Sequence, residues 1–300
     1  MMTFFPWKRA LSSRKVWFSL IVMLALGLVA VLAPWIAPHD PYEWGVTQSG
    51  LPPMWVQNPF KPGSPEYPLG TDRFGRDILS RLIYGTRTTV FLALTAVPLA
   101  ALIGTGVGLL AGYAGGWFET VAMRLTDVIN ALPGIMFLVI MVLIMRNLLA
   151  PSWLGGMITL ILGFAAVSWV GLARLTRSSV LQLKTQLFVE AARSLGAPPS
   201  RIITKHLLPN VMPMIMVWVI NNIPAVILLE AVLGYIGVSV TSASGGDEFS
   251  VVSWGGLFFS GRSVLSSNPL MLFIPAVCIL LISMSFILLG DFLNESTHPQ

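Results

Sequence analysis

Charged side chains make up only 10% of this 300-residue chain, and hydrophobic ones 55%. A water-soluble globule carries about 25% charged residues, so the surrounding medium is read as a lipid bilayer and the fold class as an all-α polytopic membrane protein. The net charge of +5 comes from basic residues scattered along the chain, a pattern of orienting loops rather than of a nucleic-acid surface, and the single Cys278 excludes an internal disulfide framework and a cysteine-rich metal site.

Windows of about 20 mostly apolar residues predict six transmembrane helices. The first is Val16–Ala37, preceded by Lys8, Arg9, Arg14 and Lys15. Its uncharged run outlasts the roughly 7–15 residues of a cleaved signal core and reads as a retained span. Residues 38–69, with "APHDP", "LPPMW" and "NPFKPGSPEYP", form an irregular proline-rich loop. Residues 70–87 read as a short amphipathic helix in which Ile78, Leu79, Leu82 and Ile83 share a face and Asp77 precedes Arg81 by one turn.

The second span is Thr88–Leu110. Its "GTGVG" lacks the Gly-Lys-Ser/Thr ending of a phosphate loop and is read as permitting close helix packing. The third, Val128–Met145, is short, and Pro133–Gly134 kink it or delay its start. The fourth, fifth and sixth are Trp153–Ala173, Val211–Val238 and Leu270–Leu289, with a Ser- and Gly-rich loop between the last two. The chain thus divides into a tail, first span and outer loop (1–69), a membrane domain holding the other five spans (70–295) and a short tail (296–300).

Lysine and arginine set the orientation. Lys8, Arg9, Arg14, Lys15, Arg124, Arg174, Arg177, Lys184, Arg193, Arg201 and Lys205 fall on the side of the N-terminus, against Lys61, Arg73, Arg76, Arg81, Arg87, Arg146 and Arg262 on the other. The richer side is expected to be cytoplasmic, and six spans place both termini there.

The most polar long stretch of the second half is "VEAARSLGAPPSRIITKHLLPN" (189–210). Leu187, Phe188, Ala191, Ala192 and Leu195 form the apolar stripe of a short helix, with Glu190 and Arg193 off it. Gly196 is placed to end that helix in a left-handed turn, and Pro198–Pro199 prevent its continuation. Ser200 is placed to cap a second short helix that Pro209–Asn210 closes. Small residues at Ala191, Ala192 and Gly196 would let another surface approach. Two readings stay open: a helix pair resting on lipid headgroups, and a docking site for a partner.

Glu230 lies inside the fifth apolar block, where an ionisable group is expensive. It reads either as a contact with a neighbouring helix or subunit or as part of a pore or gate. Asn221 and Asn222 share that second reading more weakly and are placed to hydrogen-bond between helices. Asp72, Arg73, Arg76, Asp77 and Arg81 read as a solvated ion-pair helix, or as a contact for an extracytoplasmic partner or the pore mouth. Arg124 and Asp127 read as loop anchors or as transmitters of motion. No catalytic constellation or metal site is predicted, because His39, His206 and His298 are scattered without ligand spacing and no G-x-S-x-G occurs.

"EAARSLGAPPSRIITKHLLP" resembles the cytoplasmic signature of ABC-importer permeases, with Glu190, Ala191, Ala192, Gly196, Leu208 and Pro209 matching. His206 stands where that signature is usually apolar, though "HLLPN" is similar to the "HILPN" of the peptide-permease branch. "LGTDRFGRDILSRLIYGTRTT" (69–89), "LAGYAGGWFETVAMRLTDVINALP" (110–133), "LEAVLGYIGV" (229–238), "SWGGLF" (253–258) and "LLGDFLNE" (288–295) resemble the C-type subunit of dipeptide, oligopeptide and nickel permeases. The stretch 239–252 departs from that family, which tends to a shorter proline-rich turn there, and "STHPQ" lacks its usual basic end.

The resemblance implies a cytoplasmic coupling-helix loop between spans four and five, made of Glu190, Ala191, Ala192, Arg193, Gly196, His206, Leu208 and Pro209. It implies a second homologous permease, two ABC ATPase subunits or domains that bind ATP and Mg, and an extracytoplasmic solute-binding protein. No cofactor belongs to this chain itself. The expected place is the bacterial inner membrane, and the cargo a peptide, a nickel complex or an oligosaccharide. Two other classes remain open: an ion-coupled secondary transporter, against which the absence of an internal repeat argues, and a non-transport membrane assembly protein.

Overall fold

In lipid the backbone has no hydrogen-bond partner but itself, and the computed structural model follows that constraint. It describes residues 13–43, 47–149, 155–238, 251–266 and 268–297, which are helical apart from turns and one isolated bridge, Thr71 to Asp77. In chain order the helices are α1 (Arg14–Ile36), α2 (Ile78–Ala114), α3 (Gly116–Ala131), α4 (Gly134–Leu149) and α5 (Gly155–Leu183). Then come α6 (Leu187–Ser194), α7 (Pro199–Arg201), α8 (Leu208–Tyr235), α9 (Trp254–Ser263) and α10 (Leu270–Thr297). Helices α1, α2, α5, α10 and the continuous run from α7 through α8 are each long and apolar enough to cross a membrane. Helices α3 and α4, bent by 97° at their junction, make a sixth crossing if taken as one.

The bundle has two distinct ends. At one, residues 38–43 and 47–81 fold into a cap over the start of α2; at the other lies α6. Helix α1 begins and α10 finishes at the α6 end, where Val16 packs against Phe292. The main core gathers around α2, with Leu92, Ala96 and Val97 against Phe164 of α5, Ile227 of α8, Trp254 of α9 and Ile279 of α10.

Three expectations change, and the break expected at Pro133–Gly134 is present. Residues 78–87 and the second span form one helix of 37 residues, while residues 70–77 stay outside it in turns and a bridge; its cap is Asp77, whose side chain accepts from the Leu79 and Ser80 N–H groups. Nothing in it ends a helix, and Pro98 is absorbed within. The third span window straddles a break. Pro133 has no N–H and drives Leu132 to extended φ −90°, ψ 141°, so the window splits between an amphipathic α3 and an apolar α4.

The second helix of the 189–210 segment does not stand alone. Pro198 occupies the cap and Pro199 the first turn, leaving Ser200 inside the helix. Nor does Pro209–Asn210 close it. A π-helical stretch, Ile202–Leu207, lets the Leu208 N–H reach back five residues to the Ile203 carbonyl. That register accommodates Pro209 without breaking the helix. The Asn210 side chain donates to the His206 carbonyl at 2.5 Å. By contrast, the left-handed end at Gly196 is present, φ +77°. The 239–250 part of the loop after α8 lies outside the described residues.

Candidate functional site

At the α6 end, eight residues form a helix whose polar and apolar sides are sharply separated. Only Val189 turns inward, joining Ile202, Leu207 and Val211 in a small core. The predicted stripe therefore faces away from the bundle: Leu187 is 82% exposed, Leu195 88% and Phe188 41%. Glu190, Ala191, Arg193 and Gly196 are exposed beside it, Ala192 partly so, and a side chain on Gly196 would meet open space. His206 is half-buried, its ring 6.3 Å from that of Phe188. An aromatic neighbour thus explains why a polarisable ring is tolerated at a position usually apolar. Leu208, partly buried with the Val189 core, begins α8, and Pro209 sits in its first turn.

Asp127 and Arg124 part ways. The Asp127 carboxylate accepts from Arg174 of α5 at 2.8 Å, whereas Arg124 is exposed and makes no ion pair among the described residues. Glu119, which sequence reasoning did not single out, takes the guanidinium of Arg177.

At the opposite end, the predicted solvated ion-pair helix is instead a buried cluster. Asp72, Arg76, Asp77 and Arg81 are all less than 5% exposed. Asp72 Oδ1 accepts from the N–H groups of Phe74 (2.8 Å) and Arg76 (3.0 Å), and Oδ2 from Arg76 Nε (2.8 Å). Arg81 Nε lies 3.7 Å from the same oxygen, and its Nη1 donates to the Pro41 carbonyl at 3.1 Å. Asp77 is committed to the α2 cap, and His39 approaches it at 3.4 Å while stacking on Tyr67. The charges face inward because the proline-rich segment folds over them. Leu51 and Thr71 exchange bonds, and Asn268 donates to the Leu69 carbonyl at 2.7 Å, tying the cap to the start of α10.

Burial raises the Tyr42 phenol above its ordinary 10.0, offset in part by the Val252 backbone and by Arg81. Arg73 stacks on Phe74 and Phe259, and Arg262 on Phe259 and Tyr235. An alternating series of cations and rings thus joins cap, α9 and the end of α8.

Glu230 is fully buried within this one chain. Ser253 Oγ donates to its Oε1 at 2.6 Å and the Gly255 N–H to its Oε2 at 3.2 Å. Ser253 also caps α9, accepting from the Gly256 N–H at 3.1 Å. The carboxylate therefore sits at a helix N-terminus, where the dipole favours negative charge. Trp254, likewise buried, donates from its backbone to Thr89 Oγ1 (3.2 Å) and from its indole to the Leu82 carbonyl (3.3 Å). Sequence reasoning named Glu230 but missed Ser253 and Gly255 as its partners, and Trp254 as the residue that ties the same turn to α2. The available signal was a capping serine directly before Trp-Gly-Gly.

Asn222 does not bond between helices, since its amide donates to the Trp218 carbonyl one turn back at 2.8 Å. Asn221 is exposed, its side chain against Gly290 of α10.

Replacing Glu230 by Ala takes away the acceptor of the Ser253 hydroxyl and strands the Gly255 N–H, a buried donor whose lost partner is worth about 1–3 kcal/mol. Glu230→Gln, which keeps one acceptor, should lose less. Thermal unfolding in detergent ranks the two, and equal midpoints for wild type and Glu230→Ala would refute the joint.

Residues 104–299 match the family described as binding-protein-dependent transport system inner membrane component. Residues 6–53 match the N-terminal TM domain of oligopeptide transport permease C. The chain is 33% identical over 295 residues to the dipeptide transport system permease protein DppC of Bacillus subtilis, covering 98% of this chain and 84% of that one. It is 34% identical over 281 residues to DppC of Haemophilus influenzae, covering 94% and 89%. Its fold is similar to a chain of the MetNI methionine ABC transporter in an inward-facing conformation, with a TM-score of 0.56 and 19% identity, covering 72% of this chain and 96% of that one. These matches displace the readings as an ion-coupled transporter or an assembly protein. With a bundle of membrane-spanning helices and family matches over nearly its whole length, the chain belongs to the inner-membrane permease components of binding-protein-dependent ABC importers.

Proposed function

We propose that the chain is one of two permease subunits lining a route for peptides, and that a separate ATPase docks on α6 and the turn after it. The observation that carries this is the outward apolar stripe of Leu187, Phe188 and Leu195, rimmed by Glu190 and Arg193. Exposed apolar side chains bordered by charge mark a surface that another protein covers. Lys184, Arg193, Arg201 and Lys205 around it favour the cytoplasmic side. That orientation puts the cap outside, facing a solute-binding protein, and both termini inside. ATP and Mg belong to the docked partner, since this chain has no phosphate loop. The relatives' names, dipeptide and oligopeptide permeases among them, support a peptide cargo. Asn221, exposed beside Gly290, is the better candidate for a lining residue; Glu230 acts by holding α9 to α8.

The test is Leu187→Glu combined with Leu195→Glu. Both side chains are exposed, so the fold is expected to survive. The ATPase should no longer co-purify, and uptake of a labelled dipeptide into cells should fall to background. Full association with full uptake would overturn the docking assignment. Association with uptake of some other solute class would overturn only the peptide cargo.

A further inference from the structure

Two kinds of contact surround α5, and they differ in how readily they separate. Against α2 the backbones meet directly. A Cβ on Gly104 would lie 2.7 Å from the Trp169 carbonyl oxygen, one on Gly108 2.6 Å from that of Ala173, and one on Gly112 2.8 Å from Val180. Lys184 Nζ adds a 3.0 Å bond to the Gly112 carbonyl. A seam packed this tightly moves as one body.

Against α3 the contact is polar. Arg177 donates from Nε to Glu119 Oε1 at 2.6 Å and again from Nη2 to the same oxygen. One turn earlier, Arg174 donates from Nη2 to Asp127 Oδ1 at 2.8 Å and from Nε to Thr126 Oγ1 at 3.1 Å. The Asn130 amide, turned with its oxygen toward Arg174, accepts at 3.2 Å. Two neighbouring arginines thus hold α3 along most of its length. Little else does: Ala122 and Thr126 are its buried residues, and Trp117, Leu125 and Val128 on the other face are exposed. Helix α3 is held mainly by charge, with Ile129 adding one partly buried apolar contact on the cluster of Ala165, Trp169 and Val170.

The neighbours of this contact give it direction. Helix α5 ends at Leu183, four residues before α6. Helix α3 continues through its 97° bend into α4. We propose that Arg174 and Arg177 are positioning residues of the transport cycle, a grip by which the helix feeding the docking loop carries α3 and α4 with it. The inference rests on the docking assignment for α6. Partly exposed ion pairs add little to stability, but a guanidinium fork fixes the direction of its partners. Breaking the grip therefore separates motion of the loop from motion of the bent pair while leaving α5 seated on α2.

The experiment uses the assembled complex with its ATPases and solute-binding protein in proteoliposomes. It compares Glu119→Arg, Arg177→Glu, Arg174→Gln and the double exchange Glu119→Arg/Arg177→Glu. The readout is solute transported per ATP hydrolysed, beside ATPase co-purification. Each single change should leave co-purification and hydrolysis within about twofold and lower the ratio by about tenfold, in the usual range of coupling between sites. The double exchange should restore most of it. Where a reversal prevents assembly, Glu119→Gln and Arg177→Gln remove the charge without opposing it. An unchanged ratio in the single variants overturns the grip, and so does a double exchange as defective as its parents. A Leu187→Glu/Leu195→Glu complex that keeps its ATPase and the wild-type ratio would sink the docking assignment, and the grip with it.

Discussion

Asp72→Ala should destabilise the cap by about 3–5 kcal/mol, the loss expected when one partner of a buried charge cluster is removed. The carboxylate accepts from two backbone N–H groups and from Arg76, with Arg81 close by. Both arginines are nearly inaccessible, and Arg76 Nη2 already lacks a hydrogen-bond partner. The cluster therefore has no acceptor to spare. Asp72→Asn keeps the shape and the backbone bonds while losing the charge, so its effect should be intermediate. Limited proteolysis of residues 38–69 reports the loss directly. The spans should stay helical, since α2 starts from Asp77. A cap as protease-resistant as wild type in Asp72→Ala would show that the cluster is not what holds it.

Gly255→Ala should be at least as damaging, above about 4 kcal/mol, a size confined to a few mechanisms such as forced overpacking. The new Cβ would stand 2.5 Å from both the carbonyl oxygen and Oε1 of Glu230, and 2.8 Å from its carboxyl carbon. One of those atoms is backbone, so no rotamer change relieves the clash. The start of α9 must retreat from α8, opening the Ser253 and Gly255 bonds and the seat of Trp254. Gly234 meets Gly255 across the same gap, so the two helices have no free side on which to adjust. The yield of monodisperse protein on size exclusion should collapse. Adding Glu230→Ala removes two of the three clashing atoms and should recover part of the loss, a non-additive pair. A Gly255→Ala variant with wild-type yield and melting would sink this account.

Span-scale features were legible because they depend on local runs. The outer spans match α1 and the start of α10 within a residue or two, and Gly196 announced its turn. What failed depended on distant partners. Asp72 and Arg76 look the same in sequence whether solvated or buried, and Pro41, Leu51 and Asn268 decide between the two from far along the chain. Periodicity found the stripe through Leu187 and Leu195 but could not say which way it faced; Val189, off the stripe, proved to be the inward residue. Pro133 marked a break, while the course of α3 before it is held by Arg174 and Arg177, which lie 47 to 58 residues along the chain from their partners. The π-helical stretch before Pro209 has no signature separable from an ordinary helix end.

The length of α2 has a mechanical consequence. Its 37 residues span about 55 Å, well beyond a hydrocarbon core of about 30 Å. It is gripped near one end, where Gly85 admits the Trp254 ring, and near the other along Gly104, Gly108 and Gly112. A rod clamped at two stations neither shortens nor lets them shift independently. A tilt of about 10° about its middle swings each end by about 5 Å, in opposite senses. Displacement on one side of the bilayer therefore arrives on the other undiminished and inverted, without any relay of side chains between. A rigid tilt of α2 would make the two ends of the bundle the two arms of one lever.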